Sequence, residues 1–398
     1  MKELKRQMRD VLDNNIMRFW IDKMTDNERG GYYGRIDGHD RLVPTAEKGA
    51  ILNARILWSF AAAYRVTGNK EYLAAAERAK RYIIDHFVDK DFGGVYWSLY
   101  CDGKPKDTKK QSYAIGFAIY GMSELARATG DKEALDCAIA LFRSLEEHAF
   151  DATNNGYIEA LTRDWQPTSD MRLSDKDENG SKTMNTHLHI IEPYTNLFRV
   201  WKDPLLEKQI RNLLHVFTDI ILNRQTSHLD LFFNDEWQGK RNIQSFGHDI
   251  EASWLLHETA LVVGDKDTLA QMEPIVRDLA DAADEGLCSD GAMIYEKWLD
   301  SGRTDSDYHW WVQCENLIGH FNLYQHFGDK VALGKAEKTW KFIKNNLIDS
   351  ENGEWHWSLR YDGTINRDDD KAGFWKCPYH NTRMCLEIIE RITEMGYR

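Results

Sequence analysis

Histidines are the residues of this sequence best suited to acid–base chemistry, because an imidazole titrates near neutral pH. His187, His189, His248 and His380 lie in segments that are otherwise rich in apolar residues. Glu251 follows His248 by three positions, so on a helix its carboxylate can orient and support that imidazole. His187 and His189 face different sides of a helix because they are two positions apart. We therefore expect only one of these two to face a site.

Two other kinds of site use the same residue types. A set of His and Glu side chains can bind zinc, but the sequence has no HExxH motif and no cysteine joins the set. A glycosidase needs two carboxylates on opposite sides of the scissile bond, and the candidates are Glu251, Glu315 and Asp177. Both alternatives stay open, although the interpretation that we favour needs no metal ion.

No segment predicts a nucleotide or other organic cofactor. The glycine-rich run Gly30-Gly31-Tyr32-Tyr33-Gly34 is not a Walker loop, and it lacks the strand–turn–helix setting of a dinucleotide fingerprint. The sequence also has no GxSxG nucleophile elbow. The sequence therefore predicts chemistry that depends on its own side chains.

A repeat organises the elements that must position these residues, with one marker recurring about every 60 to 70 residues. The five copies are Thr67-Gly68-Asn69-Lys70, Thr129-Gly130-Asp131-Lys132, Trp201-Lys202-Asp203-Pro204, Val263-Gly264-Asp265-Lys266 and Phe327-Gly328-Asp329-Lys330. Glycine (Lys202 in the third copy) can end one helix in a left-handed cap, and Asp or Asn can cap the next helix. The marker therefore predicts helix hairpins.

A second marker, made of glycine and aromatic residues, repeats out of phase with the first. Its copies are Gly30-Gly31-Tyr32-Tyr33, Gly93-Gly94-Val95-Tyr96-Trp97, Gly156-Tyr157-Ile158, Leu231-Phe232-Phe233, Gly291-Ala292-Met293-Ile294-Tyr295 and Gly353-Glu354-Trp355-His356-Trp357. Such segments are typical of loops or small β-hairpins. Six copies predict six structural units.

The apolar periodic segments form two sets of helices. One set runs near 45–67, 111–129, 185–201, 245–263, 308–327 and 373–395, and the other near 2–23, 69–88, 131–150, 204–222, 265–284 and 329–347. Pairing the first helix with the last closes a ring, so we predict an all-α (α/α)6 barrel of six inner and six outer helices in a single domain, 1–398. An open solenoid is the alternative, but Phe19-Trp20-Ile21 is too apolar for a polar terminal cap.

Each predicted inner helix carries polar or aromatic side chains in its first half. They are Arg55; Tyr113; Asn185, His187 and His189; His248 and Glu251; Trp310, Trp311, Gln313 and Glu315; and Trp375, His380, Asn381 and Arg383. Inner helices of such a barrel are parallel, so these positions meet at one mouth. Because unpaired buried polar groups are costly, the pattern predicts a lined pocket at that mouth.

Composition limits the partners of this chain. A net charge of −13 argues against binding nucleic acid. The 14 Trp, 17 Tyr and 16 Phe are explained by packing of a large core, or, where Trp recurs in loops, by flat faces suited to sugar rings. Charged residues interrupt the apolar stretches before they reach membrane-spanning length, and the N-terminus lacks the apolar core of a secretion signal. The six cysteines are dispersed without CxxC pairs, which favours a reduced, cytoplasmic protein.

Four segments together resemble the cellobiose 2-epimerases, a family within the wider N-acylglucosamine 2-epimerase superfamily. They are Met184-Asn185-Thr186-His187-Leu188-His189-Ile190-Ile191-Glu192, Phe246-Gly247-His248-Asp249-Ile250-Glu251, Trp310-Trp311-Val312-Gln313 and Phe374-Trp375-Lys376-Cys377-Pro378-Tyr379-His380-Asn381. The resemblance extends over essentially the whole chain from Leu52-Asn53-Ala54-Arg55. The loop Ser174-Asp175-Lys176-Asp177 is similar to that of members acting on disaccharides.

The resemblance implies roles for particular residues. It assigns two acid/base histidines to His248 and His380, a third pocket histidine to His189, the family's arginine to Arg55 and its histidine-supporting glutamate to Glu251. It implies sugar stacking by Trp375 and by Trp310 or Trp311, between which the sequence does not decide. Tyr113, Asp177 and Asn185 also match pocket positions.

The activity implied is cofactor-independent epimerisation at C2 of the reducing-end glucose of a neutral β-1,4-linked disaccharide. A monomer or weak homo-oligomer is expected, with no nucleic-acid or membrane partner. An aldose–ketose isomerase or an N-acylglucosamine 2-epimerase would have nearly the same pocket. A glycosidase or a non-catalytic carbohydrate-binding toroid is a further alternative, although a binding module has no use for histidines on three inner helices.

Overall fold

Helices dominate the computed structural model, which describes residues 1–174, 177–239 and 242–397. In chain order they are α1 (Lys2–Asp10), α2 (Arg18–Met24), α3 (Ala50–Thr67), α4 (Lys70–Tyr82), α5 (Ser112–Thr129), α6 (Lys132–His148), α7 (Met184–Val200), α8 (Pro204–Val216), α9 (Phe246–Val263), α10 (Lys266–Ala283), α11 (Trp310–Phe327), α12 (Lys330–Asn346) and α13 (Tyr379–Glu394). The π-helical segment Val11–Met17 joins α1 to α2, so together they form one outer helix.

Alternate helices form a closed inner ring. Each of α3, α5, α7, α9 and α11 packs against the next inner helix, and α13 packs against both α11 and α3. An outer helix packs against each of them: α4, α6, α8, α10 and α12 against the preceding inner helix, and α1 against α13. The contact of α13 with α3 confirms the predicted (α/α)6 barrel and contradicts an open solenoid.

Burial explains why the two sets differ in composition. In α5, every residue from Ser112 to Ala126 is buried, so the helix must be apolar or small all round. In α6, the buried residues Ala134, Ala138, Leu141, Phe142 and Leu145 follow the helical period and leave a charged face for solvent. Within the described residues, no helix is both long enough and apolar enough to cross a lipid bilayer.

The helix hairpins turn as the first marker predicts, with one exception. Gly68, Gly130, Gly264 and Gly328 adopt the left-handed conformation after an inner helix, and the next residue caps the following helix, as when the Asn69 side chain accepts a hydrogen bond from the Glu71 N–H. In the third hairpin, α7 ends at Trp201 in an extended conformation (φ −140°). The predicted left-handed position at Lys202 is therefore wrong.

Short antiparallel strands link neighbouring units at the mouth. They are β1 (Lys48–Gly49), β2 (Ser98–Leu99), β3 (Pro105–Asp107), β4 (Lys110–Gln111), β5 (Ala160–Leu161), β6 (Lys182–Thr183), β7 (Phe232–Phe233), β8 (Ile243–Ser245), β9 (Glu296–Trp298), β10 (Thr304–Asp305), β11 (Tyr308–His309) and β12 (Ser358–Leu359). The strand before an inner helix pairs with the hairpin of the next unit, in the pairs β1–β2, β4–β5, β6–β7, β8–β9 and β11–β12. A bridge between Ile36 and Ala372 closes this series.

The second marker coincides with the turn after each outer helix. Bridges join Thr25 to Tyr32, Val88 to Val95, Phe150 to Tyr157, Leu222 to Leu229, Leu287 to Met293 and Ile348 to Trp355. Five of these partners lie in the predicted glycine–aromatic segments. In the fourth unit the turn pairs through Leu229, whereas the predicted segment Leu231–Phe233 lies beyond the turn and contributes β7. The predicted position of this turn is therefore a few residues too late in the sequence.

Buried ion pairs tie most of these turns to the mouth. The Nζ atoms of Lys48, Lys110, Lys182 and Lys371 lie 2.5–2.9 Å from carboxylates of Asp26, Asp89, Asp151 and Asp349. The fourth and fifth units carry Asn223 with Gln244, and Cys288 with Tyr308, at the corresponding positions. Where the acid is replaced, the lysine is replaced too, which avoids an unpaired buried charge.

The last inner helix begins later than predicted. Its first residue is Tyr379, preceded by Pro378 at the N-cap, whereas the sequence predicted a start near 373. Proline disfavours a helical conformation in the residue before it, so the helix cannot extend back through Cys377. As a result Trp375 lies in the loop above the inner ring.

Candidate active site

Arg55 occupies the inside of the ring near the mouth. It is 4% exposed, and its Nη2 donates to the Tyr113 hydroxyl at 2.8 Å. Its guanidinium carbon lies 4.1 Å from the ring centre of Phe117 and 4.8 Å from that of Tyr379. Guanidinium stays ionised in proteins, so this arrangement holds a permanent positive charge on an aromatic surface.

Only His189 of the two histidines on α7 faces this site. Its ring packs edge-on to Tyr113, with centroids 5.1 Å apart, and its Nδ1 lies 2.9 Å from Glu192 Oε2. His187 instead uses both ring nitrogens on the backbone, at 2.7 Å from the Thr183 carbonyl and 2.9 Å from the Tyr157 N–H. The prediction that one of the pair is structural is confirmed by this geometry.

A kink in α7 helps to place His189. Pro193 has no N–H to donate to the carbonyl four residues earlier, and His189 has non-helical angles (φ −91°, ψ 16°). Its carbonyl oxygen approaches α5 at Gly116, where a Cβ atom would lie only 2.4 Å away. Only glycine fits this crossing.

Arg383 lies at the bottom of the pocket among three buried carboxylates. Its Nη2 donates to Glu251 Oε1 at 2.5 Å and to Glu315 Oε1 at 2.7 Å, and its Nη1 donates to Glu192. All four residues are at most 4% exposed. We call these four residues the carboxylate floor; α7, α9, α11 and α13 each supply one of them.

In the carboxylate floor one guanidinium faces three carboxyl groups, so the pKa values of the three carboxyl groups differ. Burial opposes ionisation of Glu192, but Arg383 and His189 outweigh it and hold the pKa of Glu192 at about 2. Burial and repulsion by Glu315 raise the pKa of Glu251 well above its usual range. Burial also raises the pKa of Glu315, against the attraction of Arg383. Glu251 is therefore the carboxyl group most ready to carry a proton.

His380 stands directly on the carboxylate floor. Its Nδ1 lies 2.7 Å from Glu315 Oε1, and the other oxygen of Glu315 accepts a hydrogen bond from Trp254 Nε1 at 2.9 Å. Burial, followed by the charges of Arg55 and Arg383, keeps the pKa of His380 well below its ordinary value. With Nδ1 engaged, Nε2 is the nitrogen left for a ligand.

His248 has a different partner from the one that the sequence predicted. Its Nδ1 lies 2.8 Å from the Ser245 hydroxyl, three residues earlier, whereas Glu251 binds Arg383 and lies 4.0 Å from His380 Nδ1. The predicted support of His248 by Glu251 is therefore wrong, because the buried guanidinium attracts that carboxylate toward the barrel axis. Glu251 belongs to the surroundings of the other histidine.

Trp311 packs against both histidines. Its ring centroid lies 4.8 Å from that of His248 and 5.6 Å from that of His380, and the side chain is half-buried. Trp310 is 3% exposed and packs on Trp357 at 4.9 Å. Of the two tryptophans, Trp311 is thus the one beside both histidines.

Trp375 forms an aromatic wall on the opposite side. It is half-buried and lies 6.0 Å from Trp97 and 6.2 Å from Tyr113, measured between ring centroids. Trp97 belongs to the second glycine–aromatic segment, which the sequence identified as a loop without giving it a part in the site. The wall therefore combines residues from units two and six.

Asp177 and Asn185 lie toward the mouth. The Asp177 carboxylate accepts hydrogen bonds from the N–H and hydroxyl of Ser174, and its charge raises the pKa of Glu159. Asn185 is in the first turn of α7, one helical turn before His189 and on the same face. Asp175 and Lys176, part of the loop that the resemblance singled out, lie outside the described residues.

Several buried polar atoms of this region have no hydrogen-bond partner among the described residues. They are Arg55 Nε, Asn185 Oδ1, Glu251 Oε2 and Trp310 Nε1. Buried polar groups in folded proteins normally have a partner, so donors and acceptors left free in one pocket suit a ligand rich in hydroxyl groups. The predicted site residues thus lie together with unused hydrogen-bonding capacity.

The geometry of the carboxylate floor bears on the two alternatives, metal binding and glycoside hydrolysis. Glu251, Glu315 and His380 place their ligand atoms within 4.8 Å of one another, close enough for a metal ion. However, Arg383 Nη2 already binds both carboxylates, so a dication there would lie against a fixed positive charge. The shared guanidinium also leaves no room for a sugar between the two carboxylates, as a glycosidase would require.

Sequence reasoning missed the partners of the histidines more than the histidines themselves. Glu192 was quoted only within a motif, Arg383 was named only as a polar position, and Ser245 was not considered. Glu315 is predicted by the sequence as a pocket position and a glycosidase candidate, but not as the partner of His380. The available signal was that a carboxylate inside an apolar helix needs a buried cation, and Arg383 lies on the last inner helix.

Comparisons with known proteins extend from one end of the chain to the other. The family model of N-acylglucosamine 2-epimerase (GlcNAc 2-epimerase) matches residues 31–383. The chain is 61% identical over 386 residues to a cellobiose 2-epimerase of Bacteroides fragilis, covering 97% of this chain and 98% of that one. It is 38% identical over 386 residues to a cellobiose 2-epimerase of Ruminococcus albus, with the same coverage.

Solved structures agree with the architecture. A cellobiose 2-epimerase from Bacillus thermoamylovorans superposes with a TM-score of 0.93 at 39% identity, over 98% of this chain and 100% of that one. A D-mannose isomerase, at 21% identity and a TM-score of 0.82 over 98% and 97% of the two chains, shares the fold. With a family model covering most of its length and relatives matching it from end to end, the chain belongs to the N-acylglucosamine 2-epimerase family.

Proposed function

We propose that this chain is a cellobiose 2-epimerase, which inverts C2 of the reducing-end glucose of β-1,4-linked disaccharides without a cofactor. Cellobiose would give glucosyl-mannose, and lactose would give epilactose. The observation that carries the proposal is that His248 and His380 both pack against the same side chain, Trp311, at 4.8 and 5.6 Å between ring centroids. The substrate class is supported by the 61% identical relative named cellobiose 2-epimerase.

The reaction needs two acid–base groups because inversion removes a proton from one face of C2 and returns one to the other. Opening the sugar ring exposes a C1 aldehyde, which makes the C2 proton acidic. Burial lowers the pKa of His248 to about 3 and that of His380 well below its ordinary value, so an imidazole at neutral pH begins as a base. One histidine removes the C2 proton and later releases it to solvent, and the other takes a proton from solvent and delivers it to the opposite face of C2.

The intermediate is a cis-enediolate, whose negative charge needs a positive group nearby. Arg55 supplies a permanent charge, and its Nε has no partner among the described residues. His189, with Nδ1 held by Glu192, presents its other ring nitrogen as a second contact. Such preorganised charge stabilises developing negative charge at low reorganisation cost.

Aromatic faces and free polar atoms would hold the sugar. Trp375 and Trp311 offer half-buried rings for stacking, with Trp310 as the buried support behind the second. Tyr113, Asp177 and Asn185 would bind hydroxyl groups. We assign the histidines, Arg55 and Glu251 to catalysis and these six residues to substrate binding.

The first test uses proton exchange as its readout. The purified protein, treated with EDTA, is incubated with cellobiose in D2O, and the products are followed by NMR. Glucosyl-mannose carrying deuterium at C2 is the expected product. Glucosyl-fructose would indicate an aldose–ketose isomerase, activity only on N-acetylglucosamine would indicate an N-acylglucosamine 2-epimerase, free glucose would indicate a glycosidase, and unchanged sugars would indicate a binding module.

Removing either proton-transfer histidine should abolish turnover. We expect His248→Ala and His380→Ala each to lower kcat by about 10²–10⁴-fold, while circular dichroism and melting temperature stay near those of the parent. His187→Ala is the matched control, because it removes a buried histidine that has backbone partners. Substantial activity in either of the first two variants would contradict the two-histidine assignment.

The setting of the enzyme is also part of the proposal. We infer a single catalytic domain, 1–398, working in the cytoplasm as a monomer or weak homo-oligomer on neutral disaccharides, with no nucleic-acid or membrane partner. The net charge of −13 and the six cysteines, all free in the described ranges, support this setting. Light scattering of the purified protein would measure its oligomeric state.

A further inference from the structure

The three pocket histidines differ in what holds their Nδ1 atoms. His189 is paired with the Glu192 carboxylate and His380 with the Glu315 carboxylate, but His248 is paired with the Ser245 hydroxyl at 2.8 Å. An ionised carboxylate only accepts hydrogen bonds, so it fixes the proton on Nδ1. A hydroxyl can donate or accept, so it leaves both tautomers of His248 possible.

Ser245 is linked in turn to a carboxyl group. It is the last residue of β8 and lies directly opposite Glu296 in the antiparallel pairing of β8 with β9, where side chains of opposed residues are neighbours. The Glu296 carboxyl group therefore lies beside Ser245, and both Ser245 and Tyr295 favour its ionised form. His248, Ser245 and Glu296 lie in sequence, and we call these three residues the serine relay.

We propose that Glu296, acting through Ser245, determines which ring nitrogen of His248 carries the proton. When Glu296 is ionised, the Ser245 hydroxyl donates to it and accepts from His248 Nδ1–H, so Nε2 is a free base. When Glu296 takes up one proton from solvent, it donates to Ser245, Ser245 donates to Nδ1, and the imidazole proton moves to Nε2. The ring stays neutral, and the same histidine changes from proton acceptor to proton donor.

The surroundings place this change at neutral pH. Burial and the charges of Asp305 on β10 and of Asp177 raise the pKa of Glu296 to about 7, against the opposing influence of Tyr295 and Ser245. His309 also lies on this side, stacked on Tyr295 at 4.2 Å.

On the other side of the relay, His248 faces His189 and Glu315. Burial and then His189 lower the pKa of His248 to about 3, whereas Glu315 opposes this shift. The imidazole is therefore neutral throughout the range in which Glu296 titrates, and only its tautomer can respond.

The first experiment reads the tautomer directly and does not depend on activity. In protein labelled with ¹⁵N-histidine, we expect the Nδ1 and Nε2 shifts of His248 to exchange character between pH 6 and 8, with a midpoint near 7. Glu296→Gln and Ser245→Ala should each remove this dependence. A His248 tautomer that is constant in the parent, or that titrates equally in Glu296→Gln, would overturn the proposal.

Glu159→Gln is a matched control for the removal of a buried acid. Burial raises the pKa of Glu159 also to about 7, and its carboxyl group accepts hydrogen bonds from two hydroxyls, those of Thr183 and Thr186. Those threonines do not lead to His248. The His248 titration should therefore be unchanged in this variant, and a shift equal to that of Glu296→Gln would contradict the serine relay.

The second experiment tests the consequence for catalysis and rests on the proposed function. Between pH 6 and 8, the ionised fraction of a group with pKa 7 rises about tenfold, so the step that uses His248 as a base should change kcat/KM by up to that factor. We expect this limb of the profile to disappear in Glu296→Gln and Ser245→Ala and to return in Ser245→Thr. A tautomer change without epimerase activity would support the relay and contradict only the proposed function, whereas a limb that persists in Glu296→Gln would contradict the relay.

Discussion

The two histidines that we propose as proton-transfer groups lie in contrasting surroundings. His380 stands on the carboxylate floor, a charged cluster to which four inner helices contribute. His248 depends on a hydroxyl three residues away and on the neighbouring strand. The first region is fixed by long-range ion pairs, and the second by local hydrogen bonds whose direction can reverse. Closure of the barrel is therefore required to hold His380 in place, whereas His248 depends mainly on residues close to it in sequence and on the neighbouring strand.

The largest effect should follow from removing the guanidinium of the carboxylate floor. Arg383→Met leaves buried Glu192, Glu251 and Glu315 without their shared cation, which costs about 3–5 kcal/mol of unfolding free energy. Urea unfolding monitored by fluorescence measures this change, and turnover should fall with it. A loss below about 1 kcal/mol would contradict the account.

A matched control lies on the same helix. Arg391 is also buried, but it binds Glu387, Asn322 and Gln325 two turns further along α13. Arg391→Met should also destabilise the protein, while turnover of the folded fraction stays near that of the parent. Equal loss of turnover in both variants would show that Arg383 matters only for folding.

A smaller loss of turnover is expected when only Glu315, the partner of His380, loses its charge. Glu315→Gln keeps the shape of the side chain but weakens the orientation and basicity of His380, so we expect kcat to fall about 10–100-fold with little change in KM. Steady-state kinetics on cellobiose measure both constants. Glu146→Gln is the control, because Glu146 is held by Tyr157, Tyr194 and Gln209 in the outer layer. Unchanged kcat in Glu315→Gln would place the support of His380 elsewhere.

The smallest effect concerns the aromatic wall, whose Trp375 packs on Trp97 and Tyr113. Trp375→Ala removes a stacking face, so KM for cellobiose should rise about tenfold while kcat changes little. Trp201→Ala is the control, because Trp201 follows the C-terminal end of α7, whereas the candidate site lies at the N-terminal end. This variant should leave KM unchanged. A kcat loss that exceeds the KM change would show that Trp375 positions the reacting carbon instead of binding the sugar.

Local signals in the sequence were sufficient for the ring of helices. Gly68 and Asn69, and their counterparts in the other units, determine turns within a few residues, and apolar periodicity distinguishes α5 from α6. Errors arose where the usual signal was absent: α7 ends without glycine, and Pro378 delays α13.

The site was predictable as a set of residues but not as a set of contacts. Arg383 bonds to carboxylates 68, 132 and 191 positions away, and no periodicity encodes such pairings. Helix spacing predicts Glu251 as the partner of His248. In the structure Glu251 binds Arg383 instead, because a buried carboxylate pairs with the nearby guanidinium.

The position of α13 has a consequence for how the molecule acquires activity during synthesis. This helix carries His380 and Arg383 and follows the other helices in the chain, so a nascent chain that lacks it has three acidic side chains facing an open gap. Their mutual repulsion disfavours premature closure, and the arrival of α13 brings both the cation that neutralises them and the second of the histidines proposed for catalysis. A chain that ends before α13 would therefore lack both the closed ring and the complete candidate site.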